Sequence, residues 1–347
     1  MMGANVQPTL RSGRRARVFA HREDKHCAIY NVVVWFAYGA AFAIYLNPAA
    51  AGIEDTLGLV AFTLGAGGLL GWISGVNVGV NYHNHAHRPI FRSDFLNLWF
   101  ERLWTFSGGW PAFYWKHSHV TVHHANLLGD GDWTMPKRRA DGRFENIYLY
   151  VFCHWPWRFV PHLLRDFRAA PAGSWLRRKA TKEGLIFLAL WSVPFWIDPV
   201  MALALWVFPQ WVANAVIMGS GMYVQHADCT PKSDEVPYRH SNSFVSRFFN
   251  LTMFNIGYHV EHHDHAQVHW SALPALHERL RARQLTAGVH VVPYGYFHAA
   301  SICSAVGRTE AGFDRFASDQ AEGYRAPEAP GTEIPANAPA SAAASNA

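Results

Sequence analysis

Nine histidines recur in this 347-residue chain at spacings that suit metal ligation. They lie in His83-Asn84-His85-Ala86-His87, in His119-Val120-Thr121-Val122-His123-His124 and in His259-Val260-Glu261-His262-His263, with His226 closing an apolar run. Residues four apart share a helix face, so His83 with His87, His119 with His123, and His259 with His262 and His263 are each expected to converge. The adjacent pairs His123-His124 and His262-His263 point about 100° apart around a helix axis, which lets one pair serve two ions. Two ions with several imidazoles each would use about eight to ten nitrogens, and His83, His87, His119, His123, His124, His226, His259, His262 and His263 supply that number. Imidazole suits iron, zinc, copper and nickel alike, so ligand type alone does not choose the metal. HxxxH also occurs in zinc proteases, but these need Glu after the first His, and Asn84 stands there. His85 falls on the opposite side of its helix and is not expected to be a ligand.

The elements that must position these residues are hydrophobic. Half of the chain is apolar and only 16% is charged, a balance that favours a membrane protein. The run from residue 28 to 46 follows a basic segment, 1 to 27, that carries Arg11, Arg14, Arg15, Arg17, Arg22 and Lys25. It is long and lacks a convincing small-residue cleavage site, so it reads as a membrane helix in preference to a signal peptide. A second run, 57 to 80, completes a hairpin, and runs 184 to 197 and 200 to 223, joined at Asp198-Pro199, form another. Phe91 to Trp115 is too polar for a clean span and reads as a surface or re-entrant helix pair. Residues 137 to 182 are basic and rich in aromatics, as expected of a segment lying on an anionic leaflet. The positive-inside rule puts the N-terminus, and with it every histidine cluster, on the cytoplasmic side. The expected fold is an all-α membrane protein with four transmembrane helices in two hairpins under a cytoplasmic helical cap. Its domain is expected over residues 28 to 310, followed by a disordered Ala- and Pro-rich tail from 311 to 347.

The remaining composition removes competing classes. Cys27, Cys153, Cys229 and Cys303 are scattered singly, without a thiolate metal pattern. The net charge of +5 comes from segments flanking hydrophobic runs, which argues for membrane orientation and against nucleic acid. An ion transporter would need ionisable groups along its spans, and the four runs contain almost none. The other histidines, His21, His26, His154, His162, His240, His277, His290 and His298, read as solvated polar groups. His117, His265 and His269 flank the clusters and could support the ligands, and Asp130, Asp132, Glu261 and Asp264 could accept from a ligand's second ring nitrogen.

Taken with their flanks, the clusters resemble the integral-membrane fatty-acid desaturase and hydroxylase superfamily. The flanks that sharpen the likeness are His87-Arg88-Pro89-Ile90-Phe91, Asn126 with Asp130-Gly131-Asp132-Trp133, and Asn255-Ile256-Gly257-Tyr258-His259-Val260-Glu261-His262-His263-Asp264. The last is most similar to acyl-lipid and sphingolipid desaturases, and His259 replaces the Gln usual in front-end desaturases. The resemblance covers about residues 28 to 300. It implies a non-haem di-iron centre, O2 as co-substrate, a fatty-acyl substrate held in an apolar tunnel, and the nine histidines as iron ligands. His226 matches an extra family histidine, and Asn255, one turn before His259, could bind metal directly or through water. Desaturation is the implied reaction; hydroxylation, acetylene formation and oxidative decarboxylation to a terminal alkene are alternatives within the same chemistry. No haem domain, cysteine quartet or dinucleotide fingerprint is present, so two electrons must come from a separate donor of ferredoxin, rubredoxin or cytochrome b5 type. The basic 137 to 182 segment could dock such a donor, although lipid headgroups account for the same charges.

Overall fold

The computed structural model describes residues 18–300 except 141–143, 235, 236, 290, 294, 297 and 298. The expected tail, most of the basic N-terminal segment, His290 and His298 therefore lie outside the described residues.

The chain is helical, and its helices deliver the histidines to one end. Helix α1 (Lys25–Leu46) pairs with α2 (Thr56–His87), whose start is capped by the Asp55 carboxylate accepting from Gly58 N. Helix α3 (Asp94–Gly108) leads into α4, residues 112–126, and α5 spans residues 147–169. Helix α6 (Trp175–Trp191), the short α7 (Val193–Ile197) and α8 (Pro199–His226) follow. The remainder comprises β1 (Ser243–Phe244), α9 (Arg247–Thr252), α10 (His259–Asp264), α11 (Leu273–Thr286) and β2 (Val291–Val292), with the two strands paired in parallel.

Among the described residues three helices are long and apolar enough to cross a membrane: Asp24–Leu46, Thr56–His87 and Pro199–His226. Their outer faces carry large side chains with nothing of the protein over them, such as Phe36 (75% exposed) and Leu64 (64%). A water-soluble helix would bury such residues, whereas acyl chains can cover them. The fourth span expected over 184 to 197 takes a different form. The helix starts earlier, at Trp175, with its first turns carrying Arg177, Arg178, Lys179 and Lys182, and it breaks at Ser192 ahead of Pro194. Proline has no N–H to continue the ladder and clashes with the preceding turn, so α6 and α7 are two pieces.

Contact between α2 and α8 is set by missing side chains. A Cβ on Gly71 would stand 2.6 Å from Val212, and one on Gly75 would stand 2.6 Å from Ile217. Both glycines let the two backbones approach more closely than larger residues allow. Buried amides then join the helices. Asn77 of α2 donates to Asn31 Oδ1 at 2.7 Å and accepts from Trp104 Nε1 at 2.8 Å, and the Gln210 and Asn214 amides donate to the carbonyls of Phe106 and Gly108, each at 2.7 Å. The end of α3 is thereby fixed against the middle of α8, and the backbone groups freed at its C-terminus are satisfied there.

Candidate metal centre

The histidines occupy the ends of α2 and α8, the second half of α4 and all of α10. Directly before His83, α2 widens into a π turn over Asn77–Tyr82, and α4 does so over His117–His123. Such turns re-aim the side chains that follow them. In α4 the backbone N–H of His124 bonds the carbonyl of His119, five residues back, so His119 faces His124 and not His123.

Two groups of four nitrogens result, each with every member within 4.8 Å of the others: His83, His87, His119 and His262 in one, and His123, His226, His259 and His263 in the other. His124 joins the first group, its Nε2 lying 3.1 Å from both His119 Nε2 and His262 Nε2. Both adjacent pairs are thus divided between the groups. Helical spacing alone also puts His119 with His123 and His259 with His262. The π turn separates the first couple; along α10 the four-residue step joins His259 to His263 at 3.0 Å and leaves His262 with the other group.

These nitrogens cannot satisfy one another. His262 Nε2 lies 2.8 Å from His83 Nε2 and 3.1 Å from His124 Nε2, yet a neutral imidazole nitrogen has either one proton or one lone pair. His87 Nε2 is buried with no partner at all. Lone pairs turned toward a common cation remove the conflict. Nitrogens bound about 2.1 Å from one ion stand about 3.0 to 3.4 Å apart in octahedral or tetrahedral geometry, close to what is seen here. The donor set therefore fits a two-metal site. Burial lowers the pKa of His119, His124, His259, His262 and His263 well below the usual 6.5, and neighbouring imidazoles add to the effect, so these rings are neutral and available as ligands.

The rings are held from behind. Nδ1 of His123 bonds Asp132 Oδ2 at 2.8 Å, while Thr134 Oγ1 donates to Asp132 Oδ1 and Leu128 N donates to Oδ2 at 3.0 Å. Burial by itself would raise the Asp132 carboxyl, but His123 and these donors hold it below the ordinary range. His226 donates through Nδ1 to the His240 carbonyl at 2.8 Å, and Asp264 acts one step further out, accepting from His240 Nε2 at 3.1 Å and from Lys232 at 2.7 Å. The Trp115 ring stacks on His119 with centroids 4.5 Å apart.

Other expected positions lie elsewhere. Glu261 is buried and accepts from His277 Nδ1 and Gln284 Nε2, each at 2.6 Å, and from Ser243 at 2.9 Å, so it ties α10 to α11 and β1 and touches no ligand ring. Asn255 has positive φ, 61°, and donates to the Trp270 carbonyl at 3.1 Å, which places it in the turn before α10 and outside both groups. Asp130 and His265 are exposed. His269 bonds Asp24 at 2.8 Å, and His117 lies 3.6 Å from Asp166. His85 points away as expected, 3.3 Å from Glu101. His154, His240 and His277, read from sequence as solvated, are buried. The carboxylates that hold His240 and His277, Asp264 and Glu261, come from other turns of the chain, so no local signal marks these two.

A cavity of about 950 Å³ opens from His83, His119 and His123 and runs between α2, α5 and α8. Its walls include Val76, Trp110, Ala215, Met218 and Met253, with Gly75 and Gly79 providing width. A mostly apolar space with a small number of polar groups in its walls is the usual form of a site for a hydrophobic ligand.

A family model described as fatty acid desaturase matches residues 55–297, which contain both histidine groups and the cavity. The chain belongs to the fatty acid desaturase family. No curated protein and no solved structure matches it. As a member with both histidine groups in place, the protein is an oxidoreductase that modifies an aliphatic chain.

Proposed function

We propose that this desaturase-family protein introduces a double bond into a fatty-acyl chain, using O2 and two iron ions held by the nine histidines on the cytoplasmic side of a four-span membrane domain. The observation that carries the reading is the opening of the two histidine groups onto the apolar cavity. Iron bound there would supply the activation of O2 needed to attack an unactivated C–H bond. The chain's own residues do the rest. Asp132 and the His240 carbonyl keep His123 and His226 in the tautomer whose Nε2 is free to ligate. The cavity walls align methylenes with the histidine end and exclude water, so that only selected carbons can react. The fourth span is assigned to α6 with α7, and electrons are assigned to a separate carrier.

The test is expression in a host lacking the activity, supplied with fatty acids of several lengths under air, with products compared by mass spectrometry. Loss of two hydrogens with the intact protein, and not with its His262→Ala/His263→Ala variant, is the expected result. Gain of one oxygen would reassign the reaction to hydroxylation, and a shortened hydrocarbon would reassign it to decarboxylation. An iron-loaded enzyme given a reductant that leaves every chain unchanged would overturn the proposal.

A further inference from the structure

A second pocket of about 670 Å³ adjoins the apolar cavity, and His154 lines both. Its character is different. His154, Arg158 and His162, four residues apart along α5, all border it, as do Lys137 and Arg138. Several of their polar atoms are buried without a partner: both ring nitrogens of His154, Nη2 of Arg158 and Nδ1 of His162. Four orphaned atoms on three residues that border one pocket are more than a folded protein ordinarily leaves, because each costs about 1 to 3 kcal/mol when unmet.

The acidic groups nearby do not meet this demand. Glu145 Oε1 takes Arg158 Nη1 at 2.5 Å and Lys137 N at 2.9 Å, which leaves Nη2 uncovered. Asp132 is occupied by His123, Thr134 and Leu128, and Asp130 lies exposed at the rim. Arg138 is engaged with the Cys229 carbonyl and the Phe144 ring, so it is a wall and not the anchor. The Trp133 ring stacks on His162 at 5.6 Å and fixes its plane. What remains is a set rich in donors. A guanidinium can only donate, and each neutral imidazole can offer one N–H, so the matching ligand carries several acceptor oxygens.

We infer that this pocket binds the oxyanion head, carboxylate or phosphate, of the acyl substrate whose tail enters the adjoining cavity. The inference rests on the reading of that cavity as the acyl site. His154, common to both spaces, marks the junction of head and tail.

The experiment is equilibrium binding of three C16 probes, palmitate, hexadecyl phosphate and hexadecanol, to the purified, metal-loaded full chain in nanodiscs. The proteins compared are the unaltered one, Arg158→Gln, and Glu145→Gln/Arg158→Gln, the last to avoid leaving Glu145 without its partner. At least one anionic probe is expected to bind the unaltered protein about 10-fold or more tightly than hexadecanol, as one charge-assisted hydrogen bond allows. Both variants should lose that advantage while the hexadecanol Kd stays put, which also reports an intact fold. Preference for palmitate would identify a free acid as the source of the head, and preference for hexadecyl phosphate a phosphorylated carrier. Unchanged anion binding in both variants, or hexadecanol binding as tightly as the anions to the unaltered protein, would overturn the inference. Failure of all three probes to bind would remove the acyl-cavity reading and this inference with it.

Discussion

Two neighbouring histidines in α10 carry different loads, because His262 belongs to the group with His83 and His87 while His263 belongs to the group with His123 and His226. Replacing either by Ala is expected to abolish turnover and to remove one metal of two, with membrane insertion retained; turnover near that of the unaltered protein would refute the assignment of that residue. His85 offers an internal control. It sits one position from Asn84 and two from His83, but its ring is spent on Glu101 and on Ile90 N. His83→Ala should therefore remove activity, and His85→Ala should lower stability while leaving most of the activity. Equal losses in the two variants would mean that the register at the end of α2 is wrong. Behind the ligands, Asp132→Asn keeps the shape of the carboxylate but removes its charge from His123, and losses of about 10- to 100-fold in metal affinity are usual for such partners. Metal titration followed by optical absorption checks it, and affinity unchanged by the substitution would exclude Asp132 from positioning His123.

Elements explain which parts of the site could be read beforehand. The His83/His87 and His259/His263 couples follow from a four-residue step in ordinary α-helix. The expected His119/His123 couple does not form, because a π turn adds a residue to that part of α4, and no residue type in His117–His123 announces it. Apolar runs made α1, α2 and α8 legible from length alone, whereas α6 and α7 were blurred by charges at one end and Pro194 at the other. The tertiary supports, His240 behind His226 and Thr134 behind Asp132, depend on chain pairings that composition does not encode. Gly257 shows the same limit in another way. A Cβ there would sit 2.3 Å from the Phe244 carbonyl, a contact invisible until β1 and the turn before α10 are brought together. The α2–α8 contact yields a prediction at this scale. Gly71→Leu must push against Val212 and part the helices that carry His83 and His226. The variant is expected to reach the membrane with less than half the metal of the unaltered protein, and full metal content by mass spectrometry would show that the close approach is dispensable.

At the scale of the whole molecule, the fold gathers many neutral imidazoles inside a protein that buries them from water. That choice has a pH dependence whose sign follows from the depressed pKa values of His119, His124, His259, His262 and His263. An unfolded chain protonates these rings below pH 6.5, the usual imidazole value, while the folded chain resists protonation until more acidic pH. Proton uptake is then greater on the unfolded side, so stability is full above about pH 6.5 and is lost as the pH falls below it. Metal binding works in the same direction, because a protonated imidazole cannot ligate. Acidification should consequently release the metals and lower Tm together, and the metal-free protein should show a smaller decline of Tm over the same range. Melting curves and metal content measured between pH 8 and pH 5 check this, each expected to be flat above pH 7 and to fall below about pH 6.5. Metal retained in full at pH 5 would mean that these imidazoles are not what holds it.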